Sequence, residues 1–522
     1  MANKFLWPAP EGQIAIVCCS PNNLHTIRYD KGNWPVVYTP LDLEVEPSLN
    51  VYDSKIIEDV ANCGFNVIMY PGSDLDRKWV EYTQQALNDC GKLGIKLISN
   101  SPILEFTDAS LRNKKYKWGW PTSFVEQFKN HPALGGWMVM DEPEYKEWHN
   151  AQSSTTSASG GISQTAGNEL GQLSTPTNGR TIVDNYQAIK NTDPRHIAYM
   201  NLAVDETEIW IGNEHSKYED FLDEFIAKFD PPLLSFDFYP IKSIGDNKYR
   251  VDQDLFYKYL NIFANKSQQY GIPFWSYCLC LEHTVGETTV YPVPTKGMLR
   301  FEVFSALAFG AQGIVFWGFK QNYKAFGLDE KGEPIRDEKG EKTKRLVITD
   351  RQAPLDLYGN KNNEIWDAVK KITNEISRVH DCFYNCKMTS YELFNEKDTE
   401  LLMNGKGGYD KIRVIGTGFL MTHIETPDPY LKNSDGGTFI HEYIVIVSLD
   451  PFTEHTFQWL GVQTETTSQE GQGLSNLVTE FNKNDDNYDG YSDGNYKDEP
   501  KDTEIKWEEE TLDPGGWKII EI

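Results

Sequence analysis

Two hydrophobic rhythms alternate along the first three quarters of the chain. Short apolar runs, the pattern of strands buried on both faces in a parallel sheet, fall at Gln13–Cys19, Asn66–Tyr70, Lys96–Ser99, Leu134–Met140, His196–Val204, Leu233–Tyr239, Pro273–Leu281 and Gly313–Phe319. Apolar residues at helical spacing follow or precede each of them. Asp53–Cys63 carries Ile56, Ile57, Val60 and Ala61 on one side, and Gly64 stops it; Arg77–Leu93 ends at Gly94 in the same way. Further helical stretches are a short one around Phe124, Val125 and Phe128, then Thr181–Lys190, Tyr218–Phe229, Asp252–Tyr270, Met298–Phe309 and Glu364–Val379. Eight strands, each with its helix, predict a (β/α)8 barrel over residues 1–380.

Beyond residue 380 the helical period stops. Strand-like alternation takes over at Lys387–Phe394, Ile412–Thr422, Glu442–Leu449 and Thr456–Trp459, and Glu504–Ile522 reads as two strands joined by a turn at Asp513-Pro514-Gly515-Gly516. Residues 381–522 are therefore expected to form a smaller all-β domain, a sandwich. Residues 151–179 and 464–499 are polar and lack an apolar period, and read as surface loops. The first follows the fourth strand, so it belongs to the face of the barrel that carries the chemistry.

The fourth strand organises this picture. HPALGGWMVMDEPE turns within one residue from a buried apolar run to Asp141-Glu142-Pro143-Glu144. An acidic cap on a following helix would explain such a dipeptide equally well in isolation. In a barrel, however, the C-terminal strand ends face one pocket. They would bring together Tyr70, Asn100, Asp141, Glu142, Asn201, Asp237, Tyr239, Trp275, Glu282 and Trp317. Trp275 and Trp317 are explained about as well by barrel packing, and Asp237, between two Phe, needs a buried partner. The set holds no Gly-rich phosphate loop, no HExxH and no lysine for a Schiff base. Two carboxyls among aromatic and amide side chains are the groups that cleave a glycosidic bond: one protonates the leaving oxygen, and the other attacks the anomeric carbon or activates water.

At this point the chain resembles clan A glycoside hydrolases, retaining (β/α)8 enzymes with a Glu at the end of strand four and another at the end of strand seven. The phrases that carry the resemblance are HPALGGWMVMDEP, SFDFYP, RFEVFSALAFGAQGIVFWGF and TLDPGGWKIIEI. The resemblance implies Glu142 as acid/base and Glu282 as nucleophile, with a carbohydrate substrate and no cofactor. The chain departs from that family at Asp141, where the family has Asn, and Glu282 lies just past the expected end of strand seven, with Glu287 or Asp237 as the alternative. A carbohydrate-binding protein that kept the barrel and lost the chemistry is the competing expectation.

Composition narrows the partners. With 50 Lys+Arg against 77 Asp+Glu the formal charge is -27, a surface that repels nucleic-acid backbones and accepts a neutral substrate. Aromatic side chains are abundant, 14 Trp, 27 Tyr and 26 Phe, which suits sugar stacking and large cores alike. No run of apolar residues is long enough to span a membrane. MANKFLWPAP lacks the apolar centre of a signal peptide. Two expectations stand: a cytoplasmic protein, or, the favoured one, an extracellular or periplasmic protein whose export signal is absent from this sequence. The eight cysteines read as buried thiols, with a local Cys382–Cys386 disulfide as an option, and the lack of a second ligand pair argues against zinc. Asp485, Asn487 and Asp489 open like a calcium loop, but position twelve is Tyr496 rather than Glu, so a solvated acidic loop is the better reading and no metal is expected.

Overall fold

Parallel strands that pair in sequence order, the last also with the first, leave no edge, and this is what the apolar runs build. A computed structural model describes residues 6–19, 54–71, 79–100, 104, 121–142, 182–204, 218–246, 248–285, 289–321, 323–326, 345–348, 352–356, 359–394, 399–404, 410–433, 435–461, 480–481 and 508–521. Strands β1 (Ala15–Cys19), β2 (Val67–Pro71), β3 (Lys96–Asn100), β4 (Leu134–Asp141), β5 (Ile197–Ala203) and β6 (Leu234–Asp237) occupy six staves of the barrel. After β6 the chain makes a hairpin of β7 (Ile241–Ser243) and β8 (Tyr249–Val251), then supplies β9 (Phe274–Leu279), a second hairpin of β10 (His283–Val285) and β11 (Thr289–Tyr291), and the closing strand β12 (Gly313–Trp317). The barrel closes in the order β1-β12-β9-β6-β5-β4-β3-β2. Helices α1 (Ser54–Asn62), α2 (Trp79–Leu93), α3 (Pro121–Phe128), α4 (Ile182–Thr192), α5 (Tyr218–Phe229), α6 (Gln253–Tyr270), α7 (Lys296–Ala308) and α8 (Asn363–Phe383) alternate with these strands. Helix α5 shows why: Phe221, Leu222, Phe225, Ile226 and Phe229 recur at helical spacing and are buried.

Alternate residues of the strands fill the barrel interior. Val17, Cys19, Val67, Met69, Ile98, Met138, Ile197, Tyr199, Trp275, Tyr277 and Val315 form one cluster, with Trp7 packed against it. Trp275 is fully buried there, and its indole lies against Gly313, where a Cβ would come within 2.5 Å of the ring. The β7–β8 and β10–β11 hairpins, which the sequence pattern did not reveal, join in a four-stranded sheet of order β10-β11-β7-β8. Their strands are only three residues long, too short for an alternation to register. Between β12 and α8, β13 (Tyr323–Phe326) and β14 (Arg345–Ile348) pair with each other.

The chain divides into two compact units: Met1–Thr295 with Ala311–Asp381, and Lys296–Gly310 with Cys382–Ile522. The second contains β15 (Lys387–Phe394), β16 (Thr399–Asn404), β17 (Asp410–Gly416), β18 (Phe419–Lys432), β19 (Thr438–Ser448), β20 (His455–Gly461), β21 (Glu480–Phe481), β22 (Glu508–Leu512) and β23 (Trp517–Glu521). They form two antiparallel sheets, β15-β18-β19-β23-β21 and β16-β17-β20-β22. Phe394, Phe419, Met421, Ile444, Ile446 and Ile520 of the first meet Phe457 and Leu512 of the second in one core. Helix α7 belongs to this unit. Its Phe304 stacks on Trp517 with centroids 4.2 Å apart, and buried Arg300 pairs with Asp513 at 3.0 Å.

The run Ile412–Thr422, expected as one strand, is two. Gly416 and Gly418 take positive φ and end β17 before β18 begins. Strand β16 was not anticipated either. All eight cysteines are free and buried, so Cys382 and Cys386 are not bonded to each other. The expected 151–179 loop and Asp485, Asn487 and Asp489 lie outside the described residues. Among the described residues no helix is long and apolar enough to cross a membrane.

Candidate active site at the barrel mouth

Side-chain parity on the strands decides what faces the mouth. Tyr199 and Ile197 of β5 point into the barrel, so Asn201, two residues on, does too. Leu233 likewise places Ser235 and Asp237 inward. In an unbroken β4, Met138, Met140 and Glu142 would share the inward face and Asp141 would turn away. The register against β5 instead runs Met138↔Tyr199, Met140↔Met200 and Asp141↔Asn201. Val139 is skipped, a bulge that inverts parity and turns Asp141 inward.

Asn201 holds the site together. Its Nδ2 donates to Asp237 Oδ1 at 2.8 Å and to Asp141 Oδ1 at 3.2 Å, while its Oδ1 accepts from Ser235 Oγ at 3.0 Å. Both amide hydrogens are thus committed to carboxylates, and Asn201 is itself buried. Glu142 completes the cluster: its backbone N–H donates to Asn201 O at 2.9 Å and its side chain hydrogen-bonds Asp237. Glu142 has φ of +45°, a left-handed conformation that a non-glycine residue adopts at a cost.

Three carboxyls in this space cannot all ionise freely. Burial, and then the Glu142 charge, push the Asp141 carboxyl up to about 7 against the Asn201 hydrogen bond. Asp141 also keeps an exposed edge at the mouth, which moderates its desolvation, but the neighbouring carboxyl acts in the same direction. Burial raises Asp237 to about 6, with hydrogen bonds from Glu142 and Asn201 opposing it.

Aromatic groups wall the cluster. The half-buried Tyr239 and Trp317 rings lie 6.2 Å apart at 30°. His283 meets the Trp317 edge at 4.8 Å, and Tyr291 of the small sheet packs on both Tyr239 and His283. Beneath the carboxyls, Tyr199 OH donates to Met69 Sδ at 2.9 Å. Tyr277 OH is buried beside Tyr199. Burial first, then Tyr199, Cys19 and Asp141, raise the Tyr277 phenol well above its ordinary range.

Of the residues read from the sequence, Asp141, Glu142, Asn201 and Asp237 come together, and Tyr239 and Trp317 lie beside one another. Glu282 follows β9, three strands further round the barrel from β4; its backbone N–H donates to Gln352 O at 2.8 Å, and its carboxylate makes no hydrogen bond to the other three. Asn100 ends β3, half-buried and without a side-chain hydrogen bond to the cluster. Tyr70 lies in β2, and only its backbone is described. Trp275 has no exposed face and belongs to the interior packing. Ser235 and Tyr199 were not singled out as site residues. The spacing was available: Ser235 precedes Asp237 by two, and Tyr199 precedes Asn201 by two. Among the described residues no group of three or more His, Cys, Asp or Glu is arranged to hold a metal ion.

No protein-family model matches the chain, and no curated protein sequence matches it. Among solved structures, the chain is similar to several glycoside hydrolases. A GH42 beta-galactosidase from G. stearothermophilus aligns over 99% of both chains at 10% identity and a TM-score of 0.42. A beta-galactosidase from Marinomonas ef1 aligns over 64% of this chain at 10% identity and a TM-score of 0.39, and the chain spans 58% of that protein's length. An endo-1,4-beta-mannanase from Eisenia fetida aligns over 63% of this chain and 91% of its own, at 13% identity and a TM-score of 0.31. At such distances the reaction has to be argued from this chain's own residues.

Proposed function

We propose that the protein hydrolyses O-glycosidic bonds in an oligo- or polysaccharide, with Glu142 as general acid and base and Glu282 as nucleophile. The observation that carries the reading is the carboxyl cluster of Asp141, Glu142 and Asp237 tied through Asn201 at the mouth of a closed barrel. With Asp141 raised to about 7 and Asp237 to about 6, chiefly by burial, the cluster keeps a proton near neutral pH. Glycosidic oxygen is a poor leaving group until protonated, and a retained proton beside the bond is what its departure needs.

In this mechanism Glu142 gives its proton to the glycosidic oxygen as the bond to the anomeric carbon breaks. The Glu282 carboxylate attacks that carbon and forms a glycosyl ester. Glu142, now ionised, takes a proton from water, which releases the sugar and restores Glu282. Asp141 bonds sugar hydroxyls, with Asn201 holding its carboxyl from below, and Tyr239 and Trp317 offer faces to the ring.

The test is Glu142→Gln. Hydrolysis of a natural glycan is expected to fall by about 10²–10⁴-fold. An activated aryl glycoside, whose leaving group needs little protonation, loses far less in its first step, and azide restores its turnover by replacing the base-assisted water. Wild-type rates on the glycan in the variant would overturn the assignment. Saturable glycan binding by the wild type with no turnover of any glycan or aryl glycoside would identify a carbohydrate-binding barrel instead.

A further inference from the structure

The β18–β19 hairpin of the second unit carries a feature that the barrel site does not use. The pairing steps from Pro427↔Ile440 directly to Lys432↔Thr438. Residues 428–431 therefore oppose Phe439 alone, and stand out as a four-residue bulge. This bulge is built, not loose. Asp428 Oδ1 accepts from the backbone N–H of Tyr430 at 2.7 Å and of Leu431 at 2.8 Å. Asp428 Oδ2 is held by His441 Nε2 at 3.0 Å, and His441 Nδ1 faces Glu521 Oε1 at 2.7 Å. His441 is flanked by the rings of Phe439, 5.1 Å away edge-on, and Tyr443, 6.0 Å away and stacked.

What this scaffold displays is apolar. Tyr430 is 90% exposed, Leu431 51%, Ile440 40% and Phe439 38%. An ion-paired network that fixes the backbone under a ring almost wholly in water lowers the entropy lost when something stacks on it. We propose that this hairpin tip is a carbohydrate-binding site outside the barrel, where Tyr430 and Phe439 stack on the rings of a neutral polysaccharide. The substrate class is that of the function proposed above.

Size and charge choose this occupant. A stable protein interface takes about 800 Å² and about 20–30 residues from each partner. Four side chains on a hairpin tip fall well short of that, but they match one or two sugar rings. The chain's formal charge of -27 opposes a second copy, a polyanion or an anionic membrane. The two carboxylates under the tip, Asp428 and Glu521, both bond His441, which offsets one of their charges when protonated.

The experiment is native affinity electrophoresis through gels holding one soluble neutral polysaccharide each: galactan, galactomannan, xyloglucan or mixed-linkage glucan. At least one is expected to retard the full chain, and Tyr430→Ala with Phe439→Ala to weaken that retardation about tenfold. Tyr430→Ala alone is expected to act in the same direction, with an unchanged melting temperature because the ring packs on nothing. Turnover of a short aryl glycoside stays at the wild-type rate in both. Full retardation of the double variant, no retardation of the wild type by any of the four, or a change in oligomeric state on removing Tyr430 would each overturn the proposal. Retardation is read without catalysis, so a failure of the Glu142 assignment leaves this result standing.

Discussion

Asp141 faces Asn201 across the β4–β5 ladder because the register skips Val139. The bulge thus sets which member of the acidic pair meets the amide that bridges to Asp237. Replacing Asn201 with the similarly sized Leu removes both donors. Turnover is expected to fall on the order of 10²-fold, the usual consequence of misplacing groups by about 1 Å. The Asn201 hydrogen bonds favour the ionised forms of Asp141 and Asp237, so their loss drives both pKa values higher. The pH–rate profile of the residual activity should move to higher pH; an unmoved profile would reduce Asn201 to packing.

The raised carboxyls fix the sign of a pH effect on stability. Between the ordinary Asp value of about 4 and the raised values, the folded chain holds more protons than the unfolded one. Stability contributed by Asp141 and Asp237 is therefore present at low pH and lost as pH climbs towards about 7 and about 6, respectively. Asp141→Asn and Asp237→Asn should each gain melting temperature relative to the wild type on going from acid to neutral pH. Parallel curves for variant and wild type would contradict this.

Glu142 in the left-handed region predicts a trade between stability and activity. Glu142→Gly relieves the backbone and should stabilise the fold by about 1 kcal/mol, partly offset by the freedom glycine adds to the unfolded chain. The same variant should lose glycan hydrolysis. Denaturant unfolding reads the first half, and a gain in neither Tm nor free energy would show that the neighbouring hydrogen bonds carry the strain at no cost.

Gly313 and Trp275 supply a test of the barrel interior. Any Cβ at 313 collides with the fully buried indole. Gly313→Ala should destabilise by about 1–3 kcal/mol. Pairing it with Trp275→Phe should recover part of that loss, and a double variant as unstable as the sum of the singles would argue against direct contact.

His441 gives an opposite pH signature. Burial alone would depress its pKa, but the hydrogen bonds it donates to Asp428 and Glu521 outweigh that and raise it. Asp428 is lowered, first by the His441 hydrogen bond. The pair's contribution is present between the ordinary Asp value of about 4 and the ordinary His value of about 6.5, and fades as pH rises through the raised His441 value. His441→Gln should lower the melting temperature at mildly acid pH and leave it nearly unchanged at alkaline pH. Equal losses at both would assign the effect to packing.

The barrel was legible because its strands are buried on both faces and its helices on one, and each leaves a period in the sequence. The strand-end position of Asp141, Glu142, Asn201 and Asp237 followed from that count alone. Their pairing did not. A bulge at Val139 leaves no mark on a hydrophobic run, since Met138, Val139 and Met140 are all apolar. The role of Asn201 as a bridge, and of Ser235 beneath it, depends on inter-strand register, which a linear pattern does not encode. The short strands of the small sheet were missed for want of length, and the β17–β18 turn because Gly416 and Gly418 sit inside an otherwise strand-like stretch.

Helix α7 lies in the chain between two barrel staves, yet it packs with the carboxy-terminal strands through Phe304 on Trp517 and Arg300 on Asp513. The second unit is therefore not an appendage that can be trimmed. A chain stopped at residue 381 would still possess α7 but would lose the Trp517 ring and the Asp513 carboxylate that pack on it. Grafting another barrel onto this tail meets the same obstacle, because the recipient would have to bring this helix with it. For this protein the natural unit of exchange is the whole chain.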